Sequence, residues 1–208
     1  MPNSLQLQQL SNSLEGMLFY DELHKKLYAT DASAYRIMPQ AVAIPKTEED
    51  IVKIIRFASE NKISITPRTA GTSLAGQTIG NGIIVDVSKH FTKIVAFDAE
   101  KKTITVQPGV IRDELNLFLK PHGLFFSPTT STTNRCMIGG MVGNNSSGTT
   151  SIRYGVTRDK IVEIKAVLSD GSLAVFKDLT SEEFIEKTKG DSLENKIYKT
   201  IYEELSNK

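Results

Sequence analysis

"AVAIPKTEEDIVKIIRFASENKISITPRTAGTSLAGQ", residues 41–77, passes from a short apolar stretch through a helical pattern into a second apolar stretch, then into a run of small residues. AVAIP reads as a buried strand ending at Pro45. Thr47 stands as an N-cap with Asp50 in the capping-box position, and Ile51, Ile54, Ile55 and Ala58 recur on one helical face. ISITP is again β-branched and apolar. Strand, helix and strand in this order predict a parallel βαβ unit with a right-handed crossover, because parallel strands cannot be joined by a tight turn. The segment beginning at Pro67 and Arg68 starts where the second strand ends. It has the smallness of a surface turn, or of backbone that something must lie against, and on its own it leaves both readings open.

Working outward, GIIVDVS (82–88) reads as a third strand and KIVAFDAEKKTITVQPG (93–109) as a hairpin about the charged turn Asp98 to Lys102. The architecture therefore changes from parallel to antiparallel. A helix is expected from Ile111 to Leu119, closed by Pro121 and Gly123, with Ile111, Leu115, Phe118 and Leu119 on one face. A charge-poor loop follows from Ser127 to Ser151. IVEIKAVLSDGSLAVF (161–176) makes a second hairpin turning at Asp170 and Gly171, and helical patterns fill 181–190 and 192–208. Before all of these, Leu14, Leu18, Leu23 and Leu27 predict an amphipathic N-terminal helix from Leu14 to Leu27.

A chain of 208 residues with 39% hydrophobic content can bury a real core. Lys+Arg 25 against Asp+Glu 24 gives a net charge of +1, and the dispersed basic residues carry no nucleic-acid footprint. Cys136 is the one cysteine, so an internal disulfide is excluded and a reducing, cytoplasmic setting is expected, with peripheral membrane docking left open. No signal peptide or membrane-spanning run is legible.

The second small-residue stretch is "SPTTSTTNRCMIGGMVGNNSSGTTSIRYG", residues 127–155, with Gly139, Gly140, Gly143 and Gly148 among Asn144, Asn145, Ser146 and Ser147. A loop this long with so little apolar bulk is ordered only against a ligand or a neighbour. Its unobstructed backbone N–H groups suit phosphate oxygens, and two such loops in one chain make a pyrophosphate the natural guest. Neither G-x-G-x-x-G nor G-x-x-x-x-G-K-S/T occurs. His24, His90 and His122 lack ligand spacing, so no metal is expected. Asp21 with Glu22, and Glu48 to Asp50, read as carboxylates at helix starts. Cys136 reads as a buried, inert thiol. No nucleophile, base and orienting group can be assembled, so no catalytic residue is named.

The ordered series AVAIPKTEEDIVKIIRFASEN, ISITPRTAGTSLAGQ, GIIVDVSKH, VQPGV, SPTTSTTNRCMIGGMVGNNSSG and IRYGVTRDKIVEIKAVLSDGS resembles the PCMH-type FAD-binding domain of the vanillyl-alcohol-oxidase superfamily. Within it the chain is most similar to FAD-linked 2-hydroxyacid dehydrogenases of the D-lactate dehydrogenase and glycolate oxidase D-subunit kind. The resemblance implies an α+β fold, a small parallel βαβ subdomain followed by one with a mainly antiparallel sheet, and FAD stretched between them. The implied organisation is a helical extension at 1–34, the FAD domain at 35–178 with subdomains about 35–97 and 98–178, and a helical segment at 179–208 leading to a missing substrate domain.

The resemblance further implies that Pro67, Arg68, Thr69, Ala70, Gly71, Thr72 and Ser73 line the pyrophosphate with Gln77 close by, and that Pro108 sits at the cofactor. Pro128, Thr129, Ser131, Thr132, Gly139, Gly140, Asn144, Ser147, Ser151 and Tyr154 would line the flavin and ribityl chain. Thr72 stands where covalently flavinylated members place a histidine, so non-covalent FAD is expected. The implied reaction is hydride transfer from a hydroxyacid, which would be bound by the missing C-terminal domain. An iron–sulfur domain or subunit would take the electrons. A non-catalytic FAD or pyrophosphate-binding module, and a fragment inactive alone, are the alternatives.

Overall fold

The computed structural model describes residues 3–206, which fall into two compact units divided between Lys160 and Ile161. The division lies inside the stretch expected to form the second subdomain. The outermost residues of the expected terminal segments, Met1, Pro2, Asn207 and Lys208, lie outside the described residues.

The first unit opens with helix α1 (Ser4–Ser13), capped by a reciprocal Asn3–Gln6 capping box, followed by strand β1 (Met17–Phe19) and helix α2 (Glu22–Tyr28). The helix expected from Leu14 to Leu27 is thus replaced by a strand and a shorter helix. The cause is tertiary. Gly16 lies so close to the Ile44 carbonyl that a Cβ would overlap it, and β1 pairs antiparallel with strand β2 (Ala41–Ile44), Leu18 opposite Ala43. Asp21 ends the strand by capping α2, its Oδ1 accepting from the N–H groups of Leu23 and His24, both at 3.1 Å.

Helix α3 (Glu48–Glu60) begins at the expected Thr47–Asp50 capping box and buries Val52, Ile54 and Ala58. Strand β3 (Ile65–Arg68) follows, then strand β4 (Ile83–Asp86). The sheet order is β1-β2-β4-β3, and both β2 and β3 run parallel to β4, which lies between them. The βαβ crossover therefore skips one position, and the later strand fills it. Every residue of β2 and β4 is buried, the burial pattern of parallel strands covered on both faces. One core joins Leu7, Leu10, Leu18, Ile54, Ala58, Ile83 and Val85.

Asp50 also ties the N-terminal extension to this layer. It is fully buried, and its carboxylate accepts from the backbone N–H groups of Glu15 (2.9 Å), Gly16 (2.9 Å), Lys46 (2.8 Å) and Thr47 (3.4 Å). Burial alone would raise its pKa. The four donors outweigh burial, and the carboxyl titrates below its ordinary value.

Strands β5 (Ile94–Asp98) and β6 (Thr103–Val106) form the expected antiparallel hairpin, and helix α4 (Arg112–Leu119) follows. A second core gathers Val110, Leu115, Leu119, Cys136, Ile138 and Met141, while Phe118 is 41% exposed and meets Phe97 edge to face. The segment expected to be one long loop contains two short helices, α5 (Ile138–Gly143) and α6 (Ser151–Tyr154). Glycine weakens a helix, but Ile138 and Met141, three residues apart, anchor α5 in that core and override the propensity.

The second unit holds strands β7 (Glu163–Val167) and β8 (Leu173–Lys177), antiparallel with the turn at Gly171 (φ 80°), and helices α7 (Ser181–Lys187) and α8 (Leu193–Ser206). Tyr198 on α8 packs against Phe176 and edge-on against Phe184, and Lys187 bridges to Glu194 at 2.7 Å. No described helix is long and apolar enough to cross a membrane.

A cleft between two glycine loops

β3 delivers Arg68 to the start of the first loop. Its Nη1 donates to the carbonyls of Thr30 (2.9 Å) and Thr78 (3.4 Å), and its guanidinium lies 5.1 Å from the Tyr28 ring centroid. Tyr28 in turn donates its hydroxyl to Asp86 at 2.7 Å; burial, then that carboxylate, push its phenol well above its ordinary pKa. The loop closes over the arginine. Gly71 has φ +66°, and a Cβ there would stand 2.6 Å from Arg68 Nη2, so only glycine lets the backbone pass. Ser73 then forms a hydroxyl-centred turn, its Oγ accepting from Ala75 N (3.2 Å) and Gln77 N (3.3 Å) and donating to Gln77 Oε1 (2.8 Å).

The second loop hangs on the segment after β6. Gly139 N donates to Pro108 O (2.8 Å), Ile138 N to Val110 O (2.9 Å) and Arg112 N to Cys136 O (3.0 Å). A Cβ on Gly139 would overlap Pro108, so this docking also requires glycine. At Gly140 the two loops meet: a Cβ would lie 2.6 Å from Thr69 Oγ1. Downstream, the fully buried Thr157 donates its hydroxyl to Ser146 O at 2.6 Å. Replacing Thr157 by valine should remove that bond and destabilise the unit by about 1–2 kcal/mol, read by urea unfolding.

Between the loops lies a cleft of about 730 Å³, within the size of small-molecule sites. Its wall includes Pro67, Arg68, Thr69, Gly71, Thr72, Ser73 and Gln77 from the first loop side. From the other come Pro108, Ser131, Thr132, Gly139, Gly140, Asn144 and Ser147. Five expected residues do not line the cleft. Ala70 is one. Pro128 is buried and its carbonyl accepts from Arg112 Nε (3.2 Å), while the Thr129 and Thr150 hydroxyls share a bond of 3.1 Å. Ser151 Oγ accepts from Gly148 N (3.0 Å), and Tyr154 meets Phe125 edge-on. These last four brace the second loop.

The wall also includes residues that the sequence reading passes over, among them Ala32, Thr78, Thr130, Arg135 and Met137. Thr130 and Arg135 could have been found by contiguity with Thr132 and Gly139. Ala32 could not, since only folding brings its N–H to Gly71 O at 3.2 Å. Cys136 is buried and reaches the wall, its sulfur accepting from Thr130 Oγ1 at 3.3 Å.

Residues 39–177 match the family model described as an FAD binding domain. The chain belongs to that FAD-binding family. This FAD-binding domain is 42% identical over 188 residues to the D-2-hydroxyglutarate dehydrogenase of Haemophilus influenzae, a match covering 86% of this chain and 18% of that protein. It is 38% identical to glycolate oxidase subunit GlcD of Bacillus subtilis, over 71% of this chain and 32% of that one. The D-2-hydroxyglutarate dehydrogenase of Escherichia coli is 38% identical, and the domain likewise spans 18% of its length. In fold it is similar to alkyldihydroxyacetonephosphate synthase (TM-score 0.74, 17% identity, 95% of this chain and 37% of that one). It is also similar to 6-hydroxy-D-nicotine oxidase from Arthrobacter nicotinovorans (TM-score 0.69, 22% identity, 80% and 36%). The α+β arrangement of parallel sheet followed by antiparallel hairpins is thus that of an FAD-binding fold.

Proposed function

We propose that the cleft holds FAD non-covalently, and that the domain serves a flavoenzyme oxidising a D-2-hydroxyacid. The observation that carries this reading is the meeting of the two loops at Gly140 and Thr69, which aligns small residues and hydroxyls along one continuous wall. The fit is chemical as well as spatial. The wall contains no carboxylate among the described residues, and a pyrophosphate brings two negative charges. Pro67, Arg68, Thr69, Gly71, Thr72, Ser73 and Gln77 would hold the pyrophosphate side, with Ala70 linking Thr69 to Gly71 outside the wall. Pro108, Ser131, Thr132, Gly139, Gly140, Asn144 and Ser147 would hold the flavin side, with Pro128, Thr129, Ser151 and Tyr154 fixing that loop.

Thr72 lies in the wall with a hydroxyl, which cannot form a histidyl bond to the ring. Flavin supplies a two-electron acceptor; the hydride leaving C2 of the acid and the proton leaving its hydroxyl give the 2-oxo acid. The wall residues bind and orient, and a proton acceptor would come from outside the cleft. The similarity to dehydrogenases and an oxidase subunit acting, by name, on hydroxyglutarate and glycolate supports the substrate class. We propose further that the longer protein adds a substrate domain, passes its electrons to an iron–sulfur centre and works in the cytoplasm.

The test is to add FAD to the purified chain, remove the excess and record the visible spectrum before and after acid precipitation. Flavin absorbance that follows the protein and then remains in the supernatant is expected. No retained flavin would overturn cofactor binding, and colour in the pellet would overturn non-covalent attachment.

A further inference from the structure

Two charged side chains line the cleft, Arg68 and Arg135, and both are cations. Arg68 is occupied by the Thr30 and Thr78 carbonyls and by the Tyr28 ring. Arg135 is different. It is exposed, and among the described residues its side chain makes one hydrogen bond, Nη1 to Asn134 Oδ1 at 3.2 Å. A guanidinium carries five donors, so most of its fork is turned to solvent at the cleft. Its backbone is nevertheless held. Thr132 O accepts from both Arg135 N (2.9 Å) and Cys136 N (2.7 Å), and the next residue, Cys136, is buried and tied through its carbonyl to Arg112 N. A hydrogen-bonded turn thus presents a long cation on a wall that has no anion to neutralise it among the described residues.

We propose that Arg135 is an oxyanion-binding residue of this cleft, pairing through its planar fork with a phosphate of the bound dinucleotide or with a carboxylate of the hydroxyacid. The inference rests on the reading that the cleft takes FAD. Phosphate and carboxylate share the geometry that a guanidinium grips with two parallel N–H bonds, which a lysine ammonium cannot reproduce.

The experiment compares the wild-type chain with Arg135→Gln and Arg135→Lys, titrating FAD and riboflavin by flavin fluorescence and then adding glutarate to the FAD-loaded protein. A phosphate partner is indicated if Arg135→Gln weakens FAD at least about 10-fold, Arg135→Lys weakens it less, and riboflavin is unaffected, since riboflavin has no phosphate. A carboxylate partner is indicated if FAD affinity is unchanged but the glutarate-induced shift of the flavin spectrum disappears in Arg135→Gln. Equal losses for FAD and riboflavin would assign Arg135 to loop structure and overturn the proposal, as would no change in any titration. Should the wild type bind no FAD, calorimetry with inorganic pyrophosphate decides separately: binding by the wild type and not by Arg135→Gln supports the oxyanion site, and any other result overturns it.

Discussion

Gly140→Val is expected to weaken FAD binding about 100-fold or more, equivalent to about 2.7 kcal/mol. The reason lies at the meeting point of the loops. A Cβ at residue 140 would stand 2.6 Å from Thr69 Oγ1, well inside contact distance, so either the threonine turns into the cleft or the loops separate. Valine adds two further methyl groups to the same space. Residue 140 is exposed and helical, and valine is no worse than glycine in helix propensity, so any fall in the melting temperature should come from the contact with Thr69 and be small beside the loss of affinity. Fluorescence titration with FAD provides the measurement, with thermal unfolding as control. Thr69→Ala introduced alongside should recover part of the loss, because it removes the atom that the new side chain strikes. Undiminished affinity would mean that the ligand does not cross this contact.

Asp50→Ala is expected to cost about 3–5 kcal/mol of folding stability, since several donors lose their acceptor at about 1–3 kcal/mol for each one left buried. Four backbone N–H groups, from Glu15, Gly16, Lys46 and Thr47, converge on this one carboxylate, and alanine would strand most of them in a dry site. Urea unfolding reads the loss. The pH dependence follows from the same contacts. Because the folded carboxyl titrates below its unfolded value near ~3.9, its stabilisation is present above that pH and fades as pH falls through the folded value. The acid limb of the stability profile below about pH 4 should therefore be flatter in Asp50→Ala. An identical acid limb in both proteins would show that another carboxyl governs it.

Asp50 also marks how far the sequence could be read. Its role in the capping box was plain from Thr47 three residues before it, as local chemistry is. Its grip on Glu15 and Gly16, more than thirty residues upstream, left no local trace. The same holds for the stretch from Leu14 to Leu27. Its leucines have helical spacing, but Gly16 against Ile44 and the pairing of Leu18 with Ala43 made part of it a strand. The three parallel strands were legible from β-branched runs, whereas the place of Ile83–Asp86 between the other two was not, since order within a sheet is settled by packing.

The site follows the same pattern. Two loops of small residues announced themselves by composition, and most of the residues facing the cleft come from them. What composition could not separate was wall from brace: Pro128, Thr129, Ser151 and Tyr154 look like their neighbours in sequence but have side-chain or carbonyl partners of their own and do not line the cleft. Arg135 was reachable by contiguity with Thr132 and Gly139, but its unpaired charge was not. One arginine in a polar run is unremarkable until its neighbours' charges are known.

The placement of β4 between β2 and β3 has a consequence for the chain as it leaves the ribosome. Residues 41–68 can fold locally around α3, but β2 and β3 have no direct pairing and must await a strand made fifteen residues later. Such non-local pairing is slow and leaves strand edges unpaired. The first glycine loop is the tether across that interval, so the sheet can hold both of its ends in place only once Asp86 has emerged.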